Sequence, residues 1–237
     1  MNAPQRTVVV ERESDVSVIR LARPPVNALD IDLLTTLLET VDGELADGCR
    51  AVVIAGEGPC FCAGIDTKLA ADYDAAEQRA MVTALNRFLH RLYTVPVPTV
   101  TALNGHALAG GLIIALACDR RVATAANCSL GLTEVRAGVP YPAVALHIVK
   151  AELDPASART LCLTGRTLSP QEALDRGIVD ELCDPADLVA RAIELAAELA
   201  ELPAYGRVKA QLRAASAEVM RAVVDEGNDP MLDGWLN

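Results

Sequence analysis

Residues 103–119 read LNGHALAGGLIIALACD, and the apolar residues 99–103 before them are typical of a buried strand. The run after Gly110 and Gly111 has so few polar residues that it predicts a buried helix. The two glycines therefore stand where a strand turns into a helix. Backbone N–H groups at such a turn are not covered by a Cβ atom and lie at the positive end of a helix dipole, where an anionic oxygen can approach. An oxyanion hole has this requirement, although a lone glycine pair more often serves only close packing.

A second stretch repeats this arrangement earlier in the chain. The apolar segment AVVIA at residues 51–55 leads through glycines and a proline into CFCAGIDTK at residues 60–68. Here too a predicted strand runs into a small-residue turn that precedes helical sequence. The sequence thus predicts two turns of the same kind.

These two turns, in this order, resemble the paired signature of the crotonase, or enoyl-CoA hydratase/isomerase, superfamily. The segment PPVNAL at residues 24–29 is similar to its early turn, and GIVD at residues 177–180 to its late turn. The resemblance covers nearly the whole chain and is closest in motif to the Δ3,Δ2-enoyl-CoA isomerases. It implies an α/β fold, namely the crotonase-like (ClpP/crotonase) spiral of ββα units over residues 1–183. A C-terminal helical region over residues 184–237 is expected to serve as trimerisation and lid region.

Composition excludes several other classes of protein. The 237 residues carry a net charge of −11 with no basic cluster, which argues against a nucleic-acid surface. Seven scattered cysteines and three histidines show no metal-ligand spacing and favour reduced thiols in a cytoplasmic protein. No apolar run reaches the roughly 20 residues of a membrane span, and the N-terminus lacks a signal-peptide hydrophobic region. We therefore expect no metal, no nucleic acid and no membrane partner.

The resemblance assigns roles to residues of both turns. It places the two oxyanion-hole N–H groups on Ile65 and Gly110, and it implies an acyl-CoA substrate, with no cofactor besides the coenzyme A of that substrate. Lys209 is a weak match to a family lysine near the coenzyme's phosphates. The assembly implied is a homotrimer or hexamer. The residues expected to bind substrate are Ala63, Gly64, Asp66, Lys68 and Gly111.

Glu134 is the candidate catalytic residue. Its neighbours in sequence are largely apolar, so burial is expected to raise its pKa and make it a better base, unless it is an ordinary solvent-facing glutamate on a turn. Family hydratases use two glutamates, and Glu134 matches the second. The first lies three residues after the oxyanion glycine, where this chain has Ile113. Isoleucine cannot transfer a proton, which puts two-glutamate hydration in doubt.

Three functions remain open from the sequence. The leading hypothesis is a fatty-acid-metabolism isomerase in which Glu134 carries one proton between C2 and C4 of a 3-enoyl-CoA. One alternative is an enoyl-CoA hydratase or an acyl-CoA thioester hydrolase in which another polar group holds water. Another is a relative that binds acyl-CoA without catalysis. The polar candidates for holding water are Asp66, His106, Tyr141 and His147, of which both histidines are expected to be structural because neither has a carboxylate partner.

Overall fold

The computed structural model describes residues 6–235 of the chain. These residues form ten strands and ten α-helices that alternate along most of the sequence. The strands are β1 (Val8–Glu13), β2 (Val16–Leu21), β3 (Ala51–Gly56), β4 (Cys60–Cys62), β5 (Thr99–Leu103), β6 (His106–Leu108), β7 (Arg120–Thr124), β8 (Leu130–Gly131), β9 (Thr167–Leu168) and β10 (Glu181–Cys183). The helices are α1 (Ile31–Ala46), α2 (Thr67–Ala70), α3 (Ala75–Thr94), α4 (Gly110–Ala117), α5 (Glu134–Ala137), α6 (Ala143–Glu152), α7 (Pro155–Thr164), α8 (Pro170–Asp175), α9 (Leu188–Ala200) and α10 (Tyr205–Glu226). A 3-10 helix at Pro230–Gly234 follows α10.

The strands form two sheets. The larger has the order β1-β2-β3-β5-β7-β10, in which β1 and β2 form the antiparallel hairpin that the sequence predicts and the other pairs are parallel. The smaller has the order β4-β6-β8-β9, with β4, β6 and β8 parallel and β9 antiparallel. Each ββα unit therefore contributes one strand to each sheet over part of the chain, as in a spiral.

The central strands β3 and β5 of the larger sheet are buried on both faces, which explains their almost continuous apolar sequence. Alternate residues of β3 belong to different cores: Val52 and Ile54 pack with α1, α3 and α4, whereas Val53 packs with α9. The alternation follows from the two-residue period of a strand. Helix α9 thus completes the second face of the sheet, and α10 lies against α3 and α6. The division into 1–183 and 184–237 stays a prediction.

Local signals place most helix ends correctly. Asp30, Asp74 and Ser169 accept hydrogen bonds from backbone N–H groups of the first turn, as N-caps do. Ser169 and Glu172 form a capping box at the start of α8, as their spacing of three residues favours. Within residues 6–235, no helix is both long and apolar enough to cross a membrane.

Two predicted elements differ from the structure. Residues 106–108, expected to be part of a tight turn after β5, instead form β6, because their backbone pairs with β4 and β8. The apolar pattern of residues 72–93 predicts one helix from residue 72, but α3 begins at Ala75, because Asp74 caps it, and the separate short helix α2 precedes it. Both differences arise from pairing or capping that hydrophobic periodicity does not encode.

Candidate active site

The smaller sheet brings the predicted site residues together. Its three neighbouring parallel strands β4, β6 and β8 end next to one another, and each is followed by one predicted element of the site. Ile65 follows β4, Gly110 follows β6 and Glu134 follows β8. Binding sites of parallel sheets lie at the carboxyl ends of the strands, where loops from adjacent strands converge. All three residues line one cavity of about 150 Å³.

The two glycine turns touch directly. A Cβ built on Gly64 would lie 2.8 Å from Ala109 Cβ and 3.2 Å from the Gly110 nitrogen. Gly64 has φ +84°, a conformation that side-chain-bearing residues rarely adopt, so glycine is required there for two reasons. Ala109 has φ +50° despite its side chain, and this turn directs the first N–H groups of α4. Backbone strain of this kind concentrates at functional sites.

The pairing around Leu29 leaves one backbone donor unused. Leu29 N–H donates to the Gly64 carbonyl at 2.8 Å, and Asp66 N–H donates to the Leu29 carbonyl at 2.9 Å. The Ile65 N–H between them has no partner among the described residues, and neither has the Gly110 N–H at the start of α4. Unpaired backbone N–H groups are rare in folded proteins unless a ligand or water uses them. The two groups beside the cavity therefore form a pair of donors suited to an anionic oxygen.

Asn27 holds the first turn in place. Its side-chain amide donates to the carbonyls of Glu57, Cys60 and Phe61 at 2.8–3.1 Å, and its own oxygen accepts from Arg23 N–H at 2.9 Å. Asn27 is fully buried and has φ +51°, a region that asparagine tolerates better than most residues. The sequence analysis noted the segment but gave Asn27 no role. A single buried asparagine with several backbone partners has no local sequence signal.

Glu134 is buried at the first position of α5, with only 8% of its surface exposed. Burial raises the pKa of Glu134 to about 7, and its own N–H and the nearby Tyr141 hydroxyl oppose the rise. Its Oε2 atom has no hydrogen-bond partner among the described residues. A carboxylate that is desolvated, close to neutral in pKa and free to accept a proton is the arrangement expected of a general base. The solvent-facing alternative is excluded.

Tyr141 is the polar neighbour of Glu134. Its hydroxyl is buried beside Glu134 and Cys162 and has no partner within hydrogen-bond distance in the described chain. Burial, together with the negative charge of Glu134, raises the pKa of Tyr141, so the phenol stays protonated and can act as a donor. Of the four residues considered for holding water, Tyr141 is the one that lies beside Glu134.

The other three candidates have structural partners instead. His106 Nδ1 accepts a hydrogen bond from Ser129 N–H at 3.0 Å. Asp66 caps α2 and pairs with Arg23 at 3.0 Å; these contacts outweigh desolvation and lower the pKa of Asp66. His147 lies within α6, where burial lowers its pKa, and it does not line the cavity.

The residues expected to bind substrate separate into two groups. Ala63 lines the cavity, and Gly64 shapes the turn behind it. Gly111 lies against the backbone of β4, where an added Cβ would be 2.1 Å from the Cys62 carbonyl oxygen, so its visible role is close packing. Lys68 is exposed on α2, next to Thr67 of the cavity wall. For Asp66, Lys68 and Gly111, contact with substrate stays a prediction.

Lys209 lies in an ion-pair cluster away from this cavity. Its Nζ is 2.8 Å from Asp119 Oδ2 and donates to the Val97 carbonyl at 3.1 Å, and only 7% of the residue is exposed. Arg213 pairs with the other oxygen of Asp119 at 3.1 Å. The described chain therefore commits Lys209 to holding α10 against the end of α4. Contact of Lys209 with the coenzyme's phosphates stays a prediction.

The first position of the hydratase glutamate pair is apolar in the structure as well. Ile113 lies one turn into α4 after Gly110, lines the cavity and is almost fully buried. The remaining lining is mostly small or apolar, so Glu134 is the one carboxylate among the residues that line the cavity. A substrate in this cavity meets two backbone donors and one base.

Comparisons with known proteins agree with this geometry. The model of the family described as enoyl-CoA hydratase/isomerase matches residues 11–229. A putative enoyl-CoA hydratase from Thermus thermophilus is 38% identical over 179 residues, which cover 74% of this chain and 70% of that relative. The crystal structure of the probable enoyl-CoA hydratase EchA3 from Mycobacterium tuberculosis has a TM-score of 0.87 at 31% identity, covering 93% of this chain and 94% of the other. The human mitochondrial delta3-delta2-enoyl-CoA isomerase has a TM-score of 0.89 at 27% identity, covering 98% and 91%.

Fold and site together define a crotonase-fold enzyme that acts on an acyl-CoA. The chain belongs to the enoyl-CoA hydratase/isomerase family. The resemblance noted in the sequence and the fold class it implied are confirmed. The names of these relatives include both hydratases and an isomerase, so the choice between the two reactions depends on the residues of this site.

Proposed function

We propose that this protein is a Δ3,Δ2-enoyl-CoA isomerase, which moves the double bond of a 3-enoyl-CoA to the 2-position. The observation that carries the proposal is the presence of one carboxylate, Glu134, in a cavity whose other candidate acid position is Ile113. Hydration needs a group that holds and activates water as well as a proton donor, whereas isomerisation needs a single base that returns its proton elsewhere on the same substrate.

The proposed reaction uses the site residues in two steps. The N–H groups of Ile65 and Gly110 donate to the thioester carbonyl oxygen, while the Glu134 carboxylate removes a proton from C2. The C–H electron pair forms the enolate, whose negative oxygen both N–H groups stabilise. The enolate carbonyl then re-forms, its electron pair makes the C2–C3 double bond, and the electrons of the former C3–C4 double bond take the proton from Glu134 at C4. Glu134 returns to the carboxylate, so no water, metal or redox partner is consumed.

The pKa of Glu134 suits both steps. A base of pKa about 7 is largely ionised at slightly alkaline pH, yet its conjugate acid is strong enough to return the proton. An exposed glutamate of ordinary pKa is a weaker base for a carbon acid. The apolar surroundings of Glu134 therefore favour proton transfer to and from carbon.

Hydration is the second candidate function. It is supported by the hydratase names of the relatives and by the Tyr141 hydroxyl, which lies beside Glu134 with no partner of its own. A water molecule between that phenol and Glu134 would have a donor and a base available. In this alternative Tyr141 takes over the role of the first glutamate, whose position in this chain is Ile113.

Product analysis separates the candidates. The enzyme is incubated in deuterated water with 3-hexenoyl-CoA and, separately, with 2-hexenoyl-CoA, and the products are followed by mass spectrometry. We expect conversion of the 3-enoyl to the 2-enoyl thioester without 3-hydroxyacyl product. A 3-hydroxyacyl-CoA product indicates hydration, and release of free coenzyme A indicates thioester hydrolysis. Tight binding with no product from either substrate indicates a non-catalytic relative.

The pH dependence of turnover follows from the raised pKa of Glu134. Only the carboxylate form removes a proton from C2, so activity is expected to fall as pH drops through about 7. The sign is that of a base: its active form is present above the pKa and lost below it. Initial rates at substrate concentrations well below KM, between pH 5.5 and about 9, locate this fall in activity, since kcat/KM reports the pKa of the free enzyme. A kcat/KM that stays constant from about pH 9 down to pH 5.5 contradicts the assignment.

The proposal extends to assembly and location. A homotrimer or hexamer is supported by exposed apolar side chains around a second cavity at α10, notably Leu212, which is 83% exposed. A cytoplasmic location is supported by the seven cysteines, all of them free thiols. Sedimentation equilibrium of the purified protein tests the assembly, and a monomer at micromolar concentration contradicts it.

A further inference from the structure

The C-terminal segment of the described chain crosses the candidate acyl cavity. We define residues 229–235 as the strap. Met231 and Trp235 of the strap both line the cavity, together with Leu85 of α3, while Ile65, Gly110 and Glu134 line its reactive part. Met231 is 1% and Trp235 5% exposed, so the strap is packed down rather than extended into solvent.

Asp229 fastens the start of the strap to two different helices. Its Oδ2 atom accepts from the Asn86 side-chain amide of α3 at 2.7 Å and from the Ala143 N–H of α6 at 2.8 Å. Its Oδ1 atom accepts from Met231 N–H at 2.8 Å and begins the 3-10 helix. Asp229 is 3% exposed, and such buried bonds are geometrically demanding because an unmet partner is costly. The strap therefore joins the two walls of the cavity.

Trp235 fastens the other end. Its indole N–H donates to the Ala70 carbonyl at 3.4 Å, and its ring stacks on Tyr73 with centroids 6.4 Å apart at 22°. Offset aromatic pairs of this kind add stability beyond the area they bury. Trp235 is the largest side chain of the cavity lining and its one aromatic. Its position is thus fixed by contacts that do not involve the substrate.

The cavity is small for a fatty acyl chain. A cavity of about 150 Å³ corresponds to the volume that holds one benzene ring in a protein interior, which is about six carbon atoms. The same space must hold the thioester carbonyl and the carbons that react. Longer chains would have to displace Met231 or Trp235, and packed interiors resist such overfilling.

We infer that the strap limits the substrate to short acyl groups of about six carbons or fewer, with Met231 and Trp235 as the residues that set the limit and Asp229 as the residue that positions them. This inference rests on the proposed function in so far as the cavity is taken as the acyl site. It names the substrate class, which the reaction type leaves open.

Chain-length series on truncation variants test it. Saturated acyl-CoAs of four, six, eight and ten carbons are titrated by calorimetry, and the matching 3-enoyl-CoAs are used for turnover. In the unaltered enzyme we expect the ten-carbon thioester to bind at least about 10-fold more weakly than the six-carbon one. Met231→Ala and Trp235→Ala are expected to raise the ratio of ten-carbon to six-carbon affinity about 10-fold or more, because each leaves a cavity that extra methylenes fill.

Control variants distinguish a change in chain-length selectivity from a general loss of stability. Met220→Ala truncates an equally buried methionine on α10 that does not line the cavity, so it is expected to lower stability without changing the chain-length ratio. Asp229→Ala changes no lining side chain, yet it is expected to raise the same ratio by freeing the strap. Selectivity that is unchanged in Met231→Ala and Trp235→Ala, or equal binding of six and ten carbons by the unaltered enzyme, overturns the inference.

The calorimetric binding measurements test the role of the strap independently of the proposed reaction. A shift of the binding ratio without isomerase turnover refutes the proposed reaction and leaves the strap as the length limit. Isomerase turnover with an unchanged ratio refutes the strap and leaves the reaction. Failure of every acyl-CoA to bind overturns both.

Discussion

Glu134→Gln is expected to lower kcat for isomerisation by a factor of about 10³ or more, while the dissociation constant of a saturated acyl-CoA changes only a few-fold. General acid–base groups contribute about 10² to 10⁴ to rate, and here one group performs both proton transfers. Glutamine has nearly the same shape and keeps the cavity filled, but it cannot take up a proton. The oxyanion donors on Ile65 and Gly110 are backbone groups and remain in place, so the thioester still binds.

The free energy of unfolding of Glu134→Gln provides a check that this variant is folded. The pKa of Glu134 is raised from an ordinary 4.5 to about 7, so the folded state binds the proton more tightly than the unfolded state. The protonated side chain therefore contributes stability below pH 4.5, and this contribution is lost as pH rises through 7. Well above pH 7 the buried charge costs about 3 kcal/mol, by the equivalence of one pKa unit to about 1.4 kcal/mol. Glu134→Gln removes this cost, so its free energy of unfolding is expected to exceed that of the unaltered enzyme at pH 9 and to match it near pH 5.

Glu39→Gln is the control, because Glu39 is exposed on α1. It is expected to leave both turnover and the pH dependence of stability unchanged. If Glu134→Gln retains a tenth or more of the turnover of the unaltered enzyme, the single-base mechanism is contradicted. Higher stability together with lost turnover is the combination expected where a buried charge is kept for catalysis at the expense of stability.

The site residues that were predicted are those with a recognisable pattern in the sequence immediately around them. Gly64 and Gly110 each follow a predicted strand, and Glu134 lies among apolar residues in the sequence, so their residue types constrain what the backbone or side chain can do there. The resemblance added their mutual placement. The raised pKa of Glu134 also follows from the apolar residues around it in the chain.

The missed features depend on contacts between distant parts of the chain. Trp235 lines the cavity because its indole reaches Ala70, 165 positions earlier, and no local pattern encodes that distance. Residues 106–108 form a strand only because β4 and β8 lie on either side of them. Lysine is usually solvent-exposed, so the sequence does not indicate that Lys209 is buried and paired with Asp119, as the structure shows. Periodicity and capping report on one element at a time, so such pairings remain hidden.

Gly64→Ala is expected to lower kcat/KM by a factor of about 10² to 10³ by displacing the oxyanion donors. The new Cβ would lie 2.8 Å from Ala109 Cβ, 3.1 Å from the Leu108 carbonyl oxygen and 3.2 Å from the Gly110 nitrogen. These atoms are backbone or the first carbon of a side chain, so relief requires the two turns to separate. Loss of one oxyanion donor costs about 10² to 10³ in rate, and separation of the turns misplaces both Ile65 and Gly110 N–H groups.

The clash must be distinguished from the strain of an alanine at positive φ. Gly48 has φ +79°, close to the +84° of Gly64, but a Cβ there meets nothing within 4 Å. Gly48→Ala therefore carries the same backbone penalty, about 1–2 kcal/mol, without touching the site. We expect Gly64→Ala to lose more stability than Gly48→Ala in thermal unfolding, because the clash adds to the backbone penalty, and only Gly64→Ala to lose activity. Because Gly64→Ala leaves Glu134 in its apolar setting, the acidic limb of its residual activity should stay near pH 7. Equal activity of the two alanine variants would mean that Ile65 and Gly110 do not hold the thioester oxygen, since the donors cannot separate without losing the geometry that stabilises the enolate.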